Sequence, residues 1–421
     1  MEPEAKVSQL VEHLFREESG RMIAVLTGDF GLRHLELIED AVQEALLKAL
    51  RSWSYGSVPP NPSAWLMVVA RNFALDNLRR DSRWREKEKQ LTESAGQSFD
   101  PERVFLESEI KDDQLRMIFA CCHPVLGPEA QVALTLKVLC GFSVEEMGRA
   151  FLLRPDTIAK RLTRARERLR TEAVPFEIPA DAALSPRLDS ALDVLYLLFN
   201  EGYNASQGAD LIRHDLCREA IRLTSALQEH PAGDKPRTHA LLALFYLQAA
   251  RFAARTDPAG EILLLQEQDR AAWDRGMIAH GMQQLARARA GDEISRFHLQ
   301  AGIAACHCAA SSYNATDWRT ILRLYDIFLE IDDSPVIALN RAVALAKVQG
   351  VPAGLEAVEA IKDRDELQRY YLFHAVRGEL CLAAGRREEA AQHWQRALGL
   401  TNIPAEKNFL RRKLENLTGP G

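Results

Sequence analysis

The sequence predicts an all-α protein, and two observations support that prediction. Apolar residues recur at spacings of three and four, the period of an amphipathic helix, from one end of the chain to the other. The signals of strands are nearly absent, because sustained alternation, Asn-Gly hairpins and clusters of β-branched residues are not found. Since 421 residues exceed the size of one hydrophobic core, we expect several helical domains.

Breaks in the helical pattern indicate where those domains end. A highly charged stretch after residue 81 continues into Ala95-Gly96-Gln97-Ser98 and Pro101, a composition typical of a flexible linker. Further on, Pro175, Pro179 and Pro186 interrupt helix. The prediction is three domains and two linkers: domains at 1–81, 112–174 and 186–416, and linkers at 82–111 and 175–185.

Charge and cysteine content narrow the function classes. A net charge of −6 argues against a general nucleic-acid coat, so any DNA contact must come from local basic faces. The runs Cys121-Cys122-His123 and Cys306-His307-Cys308 lack the spacing that lets side chains converge on one zinc ion. We therefore predict reduced thiols, no metal site, no cofactor and no catalytic residues.

The N-terminus and the hydropathy pattern predict a cytoplasmic protein without a membrane partner. Met1-Glu2-Pro3-Glu4 is acidic and is not followed by the apolar core of a secretory signal. The apolar runs, such as Val194 to Phe199, are far shorter than the roughly 20 residues that a membrane-spanning helix needs.

The strongest local pattern is a pair of short helices. Ser143 and Glu146 form a capping box that starts the first, and Pro155 suits the first turn of the second. The second helix has one apolar face, formed by Ile158, Leu162, Ala165 and Leu169. Its other face is basic: Lys160, Arg161, Arg164, Arg166, Arg168 and Arg170. This arrangement indicates a helix-turn-helix that enters the major groove of DNA; a solvated basic helix or a partner-binding face is the alternative.

This segment resembles region 4 of the extracytoplasmic-function (ECF) sigma factors. The resemblance lies in Phe142-Ser-Val-Glu-Glu-Met-Gly-Arg-Ala-Phe-Leu152 and in Asp156-Thr-Ile-Ala-Lys-Arg-Leu-Thr-Arg-Ala-Arg-Glu-Arg-Leu-Arg170. The turn differs, since Leu152-Leu153-Arg154 stands where many relatives have a glycine. The resemblance implies binding of the upstream (−35) promoter element by Thr157, Lys160, Arg161, Arg164 and Arg166.

The N-terminal domain has two longer amphipathic helices. The first, Leu37 to Leu50, carries polar residues Asp40, Gln43 and Glu44, and the second runs from Ala64 to Arg80. Judged from residue type alone, Trp65 and Phe73 are core candidates, and Arg79 and Arg80 are cations that favour a helix C-terminus.

These helices resemble sigma region 2. The resemblance implies that Asp40, Gln43 and Glu44 dock on core RNA polymerase. It also implies that one set of residues recognises and opens the downstream (−10) promoter element: Trp65, Arg71, Asn72, Arg79 and Arg80. Such opening requires a pocket for an unstacked base and cations along the displaced strand. The proline-containing loop from Ser54 to Pro62 is the expected wall of that pocket.

Residues 186–416 contain no enzyme motif but suggest helical repeats. Gly350 and Gly385 lie 35 residues apart, close to the tetratricopeptide period of about 34. Each is followed by small or aromatic residues at steps of four and three: Ala353, Ala357 and Ala360, then Ala390, Trp394 and Ala397. A generic α-solenoid is the alternative.

Several runs in this part resemble the tetratricopeptide-like extension of one ECF sigma group: Leu195 to Tyr203, Gln268-Asp269-Arg270, Trp273-Asp274, Thr316-Asp317-Trp318 and Asn340 to Ala344. The resemblance implies a regulatory segment that contacts the sigma domains or an unknown protein.

The sequence thus favours a sigma factor that directs core RNA polymerase to promoter DNA. One alternative is a stand-alone helix-turn-helix regulator with the repeats as its sensor; another is an enzyme or metal protein built around the Cys-His runs. The helix that carries Asp40, Gln43 and Glu44 favours the sigma factor, because a stand-alone regulator needs no polymerase-binding module.

Overall fold

The computed structural model describes residues 18–55, 57–80, 107–151, 153–203, 213–258, 261–361 and 367–418. Within these ranges the regular structure is helical, and strand-like pairing is limited to one isolated bridge between Thr256 and Ile262. The all-α prediction is therefore confirmed. The chain separates into two compact units, Met1–Leu197 and Leu198–Gly421. Most of the predicted linker at 82–111 lies outside the described residues.

The described part of the first unit contains seven α-helices and the beginning of an eighth. They are α1 (18–30), α2 (Leu35–Tyr55), α3 (Pro62–Arg80), α4 (Glu107–Cys121), α5 (Pro128–Leu139), α6 (Val144–Phe151), α7 (Pro155–Thr171) and α8 (Leu184–Tyr203). Helix α4 begins inside the predicted linker.

Helices α2 and α3 form a hairpin around an apolar core. Ile38 and Val42 of α2 and Leu66 and Ala70 of α3 are buried, as the helical spacing of these residues requires. The loop between the helices is shorter than the predicted Ser54-to-Pro62 loop, because α2 continues to Tyr55 and Pro62 is the first residue of α3. Asn61 caps α3 by accepting a hydrogen bond from the amide of Ala64 at 3.0 Å.

The predicted capping box of the short helix pair is confirmed. The amide of Ser143 donates to a carboxylate oxygen of Glu146 at 2.8 Å, and the amide of Glu146 donates to the hydroxyl of Ser143 at 3.0 Å. Pro155 occupies the first position of α7, where its missing N–H leaves no intrahelical bond unmade.

The start of α8 packs against the end of α4. Arg187 donates to the carbonyl of Phe119 at 2.6 Å, and Ser190 donates to the carbonyl of Cys122 at 2.8 Å. These bonds satisfy carbonyls at a helix C-terminus, which otherwise lack intrahelical partners. The boundary between the two compact units falls inside α8, after Leu197, whereas the sequence pattern placed a domain boundary at 186.

The second unit is a series of helices in which each packs against the next along the chain. They are α9 (His214–Gln228), α10 (Pro236–Ala249), α11 (Arg275–Ala288), α12 (Arg296–Ala309), α13 (Trp318–Ile331), α14 (Pro335–Gln349), α15 (Val351–Glu359), α16 (Tyr371–Ala383), α17 (Arg387–Leu400) and α18 (Pro404–Thr418).

The predicted repeat residues pack well in one hairpin and not in the other. Ala390, Trp394 and Ala397 of α17 are fully buried, but Ala360 is exposed, and Ala353 and Ala357 are only half-buried. In α15 the buried positions are instead Gly354 and Val358. The two segments share their spacing but not their burial pattern, and the tetratricopeptide-like description stays a prediction.

The run that ends α8 is accounted for by packing. A Cβ on Gly202 would lie 2.6 Å from the Cys217 sulfur, so this close approach requires glycine. Tyr203 stacks on Phe199 at 5.9 Å and lies beneath the Arg255 guanidinium at 3.9 Å. Asp317, in another of the unusual runs, caps α13 by accepting from the amide of Thr320.

Candidate nucleic-acid and polymerase interface

Helix α7 has the two faces that its sequence predicts. Its core-facing residues Ile158, Leu162, Ala165 and Leu169 are each at most 2% exposed. On the opposite side Lys160 and Arg164 are exposed, and Thr157 is half-buried beside them. These side chains lie one helical turn apart, so they can contact DNA together.

A shallow groove adjoins this basic face. Its walls are the start of α5, with Gly127 and Glu129, and the basic side of α7, with Lys160, Arg161 and Arg164. Arg161 forms an ion pair with Glu129, whose side chain is 77% exposed. Exposed ion pairs contribute about 0–1 kcal/mol, so Arg161 can exchange this partner for a phosphate at little cost.

Arg166 differs from the other basic residues of α7. Its guanidinium donates two hydrogen bonds to the carboxylate of Glu39 in α2, at 2.9 and 2.7 Å. Glu39 is only 4% exposed, and the Arg166 side chain is 17% exposed. Thr157, Lys160, Arg161 and Arg164 are thus brought together on one side of α7, but Arg166 is not among them.

The Glu39–Arg166 pair belongs to a longer seam, which we define as the contact of α1 and α2 with α4, α5 and α7. At its α1 end, a Cβ on Gly20 would lie 2.5 Å from the carbonyl oxygen of Leu139, so the helices approach as closely as glycine allows. Burial raises the pKa of Glu39, and attraction to Arg166 opposes that shift.

The α2 residues predicted to bind polymerase share one surface. Asp40 and Gln43 are exposed and Glu44 is half-buried. Burial, and then the nearby charge of Glu36, raise the pKa of Asp40. Sequence reasoning missed Leu47, which lies one turn further along this face and is 46% exposed. A leucine on the polar side of an amphipathic helix was the available signal.

The residues of α3 predicted to contact DNA fall into two groups. Asn72, in the middle of the helix, and Arg79 and Arg80, at its end, are exposed, although Arg79 also lies 3.8 Å from Asp76. Trp65 and Arg71 are half-buried.

Both half-buried residues have partners inside the unit. The Trp65 ring lies 5.3 Å from the Trp53 ring, and Arg71 lies 3.4 Å from the carboxylate of Asp29. Phe73, a core candidate from its residue type, is half-buried as well.

The Cys-His runs do not assemble a metal site in the described part of the chain, where no group of three candidate ligands converges. Burial raises the pKa of Cys122 to about 12, so this thiol stays protonated at neutral pH. Among the described residues, no helix is long and apolar enough to cross a membrane.

Three family models match successive parts of the chain. Sigma-70 region 2 matches residues 18–84, Sigma-70 region 4 matches residues 116–169, and a family of unknown function (DUF6596) matches residues 187–289. The two sigma models cover α1 to α3 and most of α4 to α7, the helices that carry the candidate interface.

Two curated relatives match the chain. An uncharacterized protein of Rhizobium meliloti is 37% identical over 390 residues, 91% of each chain. The ECF RNA polymerase sigma-E factor of Haemophilus influenzae is 30% identical over 149 residues, which are 33% of this chain and 76% of that protein. From the matched regions and this relative, the chain belongs to the ECF sigma factors of the sigma-70 family, with a C-terminal helical extension.

Proposed function

We propose that this sigma factor binds core RNA polymerase through α2, recognises the −35 element through α7 and the −10 element through α3, and is regulated by its C-terminal extension. The observation that carries the proposal is that one unit has an exposed basic face on α7 and an exposed acidic face on α2. A polymerase specificity subunit needs both, whereas a stand-alone DNA-binding regulator needs only the first.

Helix α7 supplies the chemistry for reading the −35 element. Arg164 and Lys160 project from the exposed face, where a guanidinium can bond a guanine edge in two places and an ammonium can neutralise a phosphate. Arg161 gains a phosphate partner when it leaves the exposed Glu129. The core-facing residues keep the helix rigid while these side chains are presented.

Helix α3 supplies the chemistry for the −10 element. Asn72 can hydrogen-bond an unstacked base, and Arg79 and Arg80 can follow the displaced strand. The half-buried Trp65 still offers part of its ring for stacking, and Trp53 fixes the orientation of that ring.

The contact between α7 and α2 at the seam implies a step in which these two helices separate. Two promoter elements separated by even one helical turn lie about 34 Å apart along DNA, whereas Arg166 and Glu39 hold α7 and α2 in direct contact. We therefore propose that α7 leaves α2 when both elements are read together. The packed arrangement is then the form that exists before polymerase and promoter bind.

Run-off transcription tests the central proposal. Purified core polymerase is assayed with and without the full-length protein on a pool of promoters from the source genome, and DNA binding by the protein alone is measured in parallel. Initiation that depends on the protein, with weak DNA binding in isolation, is the expected result. Tight DNA binding without core polymerase, and initiation that does not depend on the protein, would instead establish a stand-alone regulator.

A pair of variants of α7 tests the −35 assignment within the same assay. Arg164→Ala should reduce initiation and lower the slope of log affinity against log salt by about 0.9, the value for one lost phosphate contact. Arg170→Ala is the matched control, because Arg170 is exposed at the end of the same helix and bonds Glu167. Equal losses in the two variants would contradict the assignment.

Regulation by the extension is tested by removing its last helix. The buried Trp394 and Ala397 of α17 pack with Leu410 of α18, so deletion of α18 opens that cluster while α1 to α7 keep their own cores. We expect deletion of α18 to change transcription. Binding of promoter DNA by the protein alone should stay as it is in the full-length protein. Unchanged transcription would remove the extension from the regulatory proposal.

A further inference from the structure

The structure assigns an anion-binding site to the second unit: Arg251, Arg270 and Arg275 around Trp273, here called the arginine cluster, bind the phosphate group of a small molecule. The cluster contains the arginine of the Gln268-Asp269-Arg270 run, which promoter recognition does not explain. It lies outside α1 to α7, so it stands independently of the proposed function.

Two of the three guanidinium groups lie over one aromatic ring. The Cζ atoms of Arg251 and Arg270 lie 5.4 and 4.6 Å from the centroid of the Trp273 ring. The exposed Arg275 donates to the main-chain carbonyl of Arg270 at 3.3 Å, and its charge acts on the Arg270 guanidinium. Arg251 also approaches the side-chain oxygen of Gln268 at 3.4 Å.

No negative charge balances these cations. Among the residues that the structure describes, no carboxylate lies within ion-pair distance of Arg251, Arg270 or Arg275. The acidic residues close in sequence point elsewhere. Asp269 accepts from the amide of Ala271, and Asp274 accepts from the amide of Met277.

Arg270 is the buried member of the cluster, and it bonds the main chain. It is 9% exposed, and it donates to the carbonyls of His307 and Ala310 at the end of α12. Burial and then the positive charges of Arg251 and Arg275 lower the pKa of Arg270. Buried charges in proteins are normally paired. The buried Arg270 has no anion beside it, and its neighbours are two further cations, the half-buried Arg251 and the exposed Arg275. This arrangement indicates a ligand that is not part of the chain.

Unpartnered polar atoms beside the cluster support this inference. Trp273 is 2% exposed, and its indole Nε1 is buried without a hydrogen-bond partner. The Nδ1 atom of His307 is likewise buried and unpartnered. Buried donors and acceptors are almost always satisfied, and a ligand oxygen is one group that accepts from an indole N–H.

The donor geometry favours a phosphate group. A guanidinium has five N–H donors, and Arg251 and Arg275 use only the contacts with Gln268 and with the Arg270 carbonyl. Their remaining donors are free for a tetrahedral anion with several oxygens, which guanidinium groups bind in pairs of parallel hydrogen bonds.

Thermal unfolding and calorimetric titration of the full-length protein test the site. Inorganic phosphate, pyrophosphate and the dicarboxylate succinate are added separately, with ionic strength matched by chloride. Phosphate or pyrophosphate should bind saturably and raise the melting temperature, because a ligand of the folded state stabilises it. Arg251→Gln and Arg275→Gln should each weaken binding roughly ten- to a hundredfold, the loss expected for a hydrogen bond to a charged group.

Arg218→Gln is the matched control, since Arg218 is an exposed arginine of α9 in the same unit, and it should bind like the wild type. Without ligand, Arg251→Gln should leave the melting temperature unchanged or raise it, because it removes repulsion among cations. The inference is overturned by an absence of saturable binding, by equal weakening in all three variants, or by binding of succinate but not of either phosphate.

Discussion

Separating Glu39 from Arg166 should open the seam of the first unit. Removing one partner of a buried ion pair costs about 3–5 kcal/mol, because the other charge stays buried without compensation. Glu39 is 4% exposed, so Arg166→Gln leaves a desolvated carboxylate. Burial already raises the pKa of Glu39, so this carboxyl can take up a proton and reduce the cost. We therefore expect the lower end, about 3 kcal/mol, or about a hundredfold in the ratio of closed to open forms.

Amide hydrogen exchange on the full-length protein measures this change directly. Amides of α7 and of the facing part of α2 should exchange faster in Arg166→Gln. If opening precedes polymerase binding, the apparent dissociation constant for core polymerase should fall by up to the same factor, because more molecules are competent to bind.

Two further variants separate the ion pair from general effects of charge. Replacing both residues, Glu39→Gln with Arg166→Gln, leaves no buried charge and should open the seam less than Arg166→Gln alone. Arg170→Gln should change nothing, because Arg170 and Glu167 are more than half exposed. Unchanged exchange and unchanged polymerase affinity in Arg166→Gln would refute the reasoning.

Three other predictions concern pH, the polymerase face and the extension. Burial raises the pKa of Asp113 from 3.8 to about 6, so near this pH the folded state binds more protons than the unfolded state. The free energy of unfolding should therefore fall as pH rises through about 6. Urea unfolding of Asp113→Asn should not show this fall. Leu47→Ala should weaken polymerase binding, measured by titration. It should leave the free energy of unfolding unchanged, because Leu47 is 46% exposed. Gly378→Ala should destabilise the extension by about 1–3 kcal/mol, since a Cβ would lie 2.3 Å from Nε1 of Trp394; Gly399→Ala, with open space, should not.

The faces of α7 could be predicted because they depend on local spacing. A helix places residues three and four apart on one side, so Ile158, Leu162, Ala165 and Leu169 had to form the buried stripe. The capping box around Ser143 is equally local, since both of its hydrogen bonds join residues three apart. Signals of this kind do not depend on how distant segments pack.

The parts of the site that sequence did not predict depend on distant contacts. Glu39 lies 127 residues from Arg166, and no local pattern distinguishes Arg166 from Arg164. Asn61 explains the shorter loop, but Pro62 was equally compatible with a loop or with the first turn of a helix. In α15 one buried position is Gly354, because a Cβ there would lie 2.5 Å from the Cβ of Ala346, and the spacing of Ala353, Ala357 and Ala360 gave no sign of this close approach.

Helix α7 therefore has a third side, in addition to its buried side and its exposed basic side. Arg166 lies between the other two and bonds the residue before Asp40, the first of the α2 residues assigned to polymerase binding. One guanidinium is thus shared between the packing of the free unit and the basic surface of α7. In the proposed opening of α7 from α2, Arg166 would lose its carboxylate and become available to DNA phosphates, so promoter binding would offset part of the cost of opening. Salt should then weaken DNA binding more than it weakens the seam, because the exposed contacts are screened and the buried pair is not.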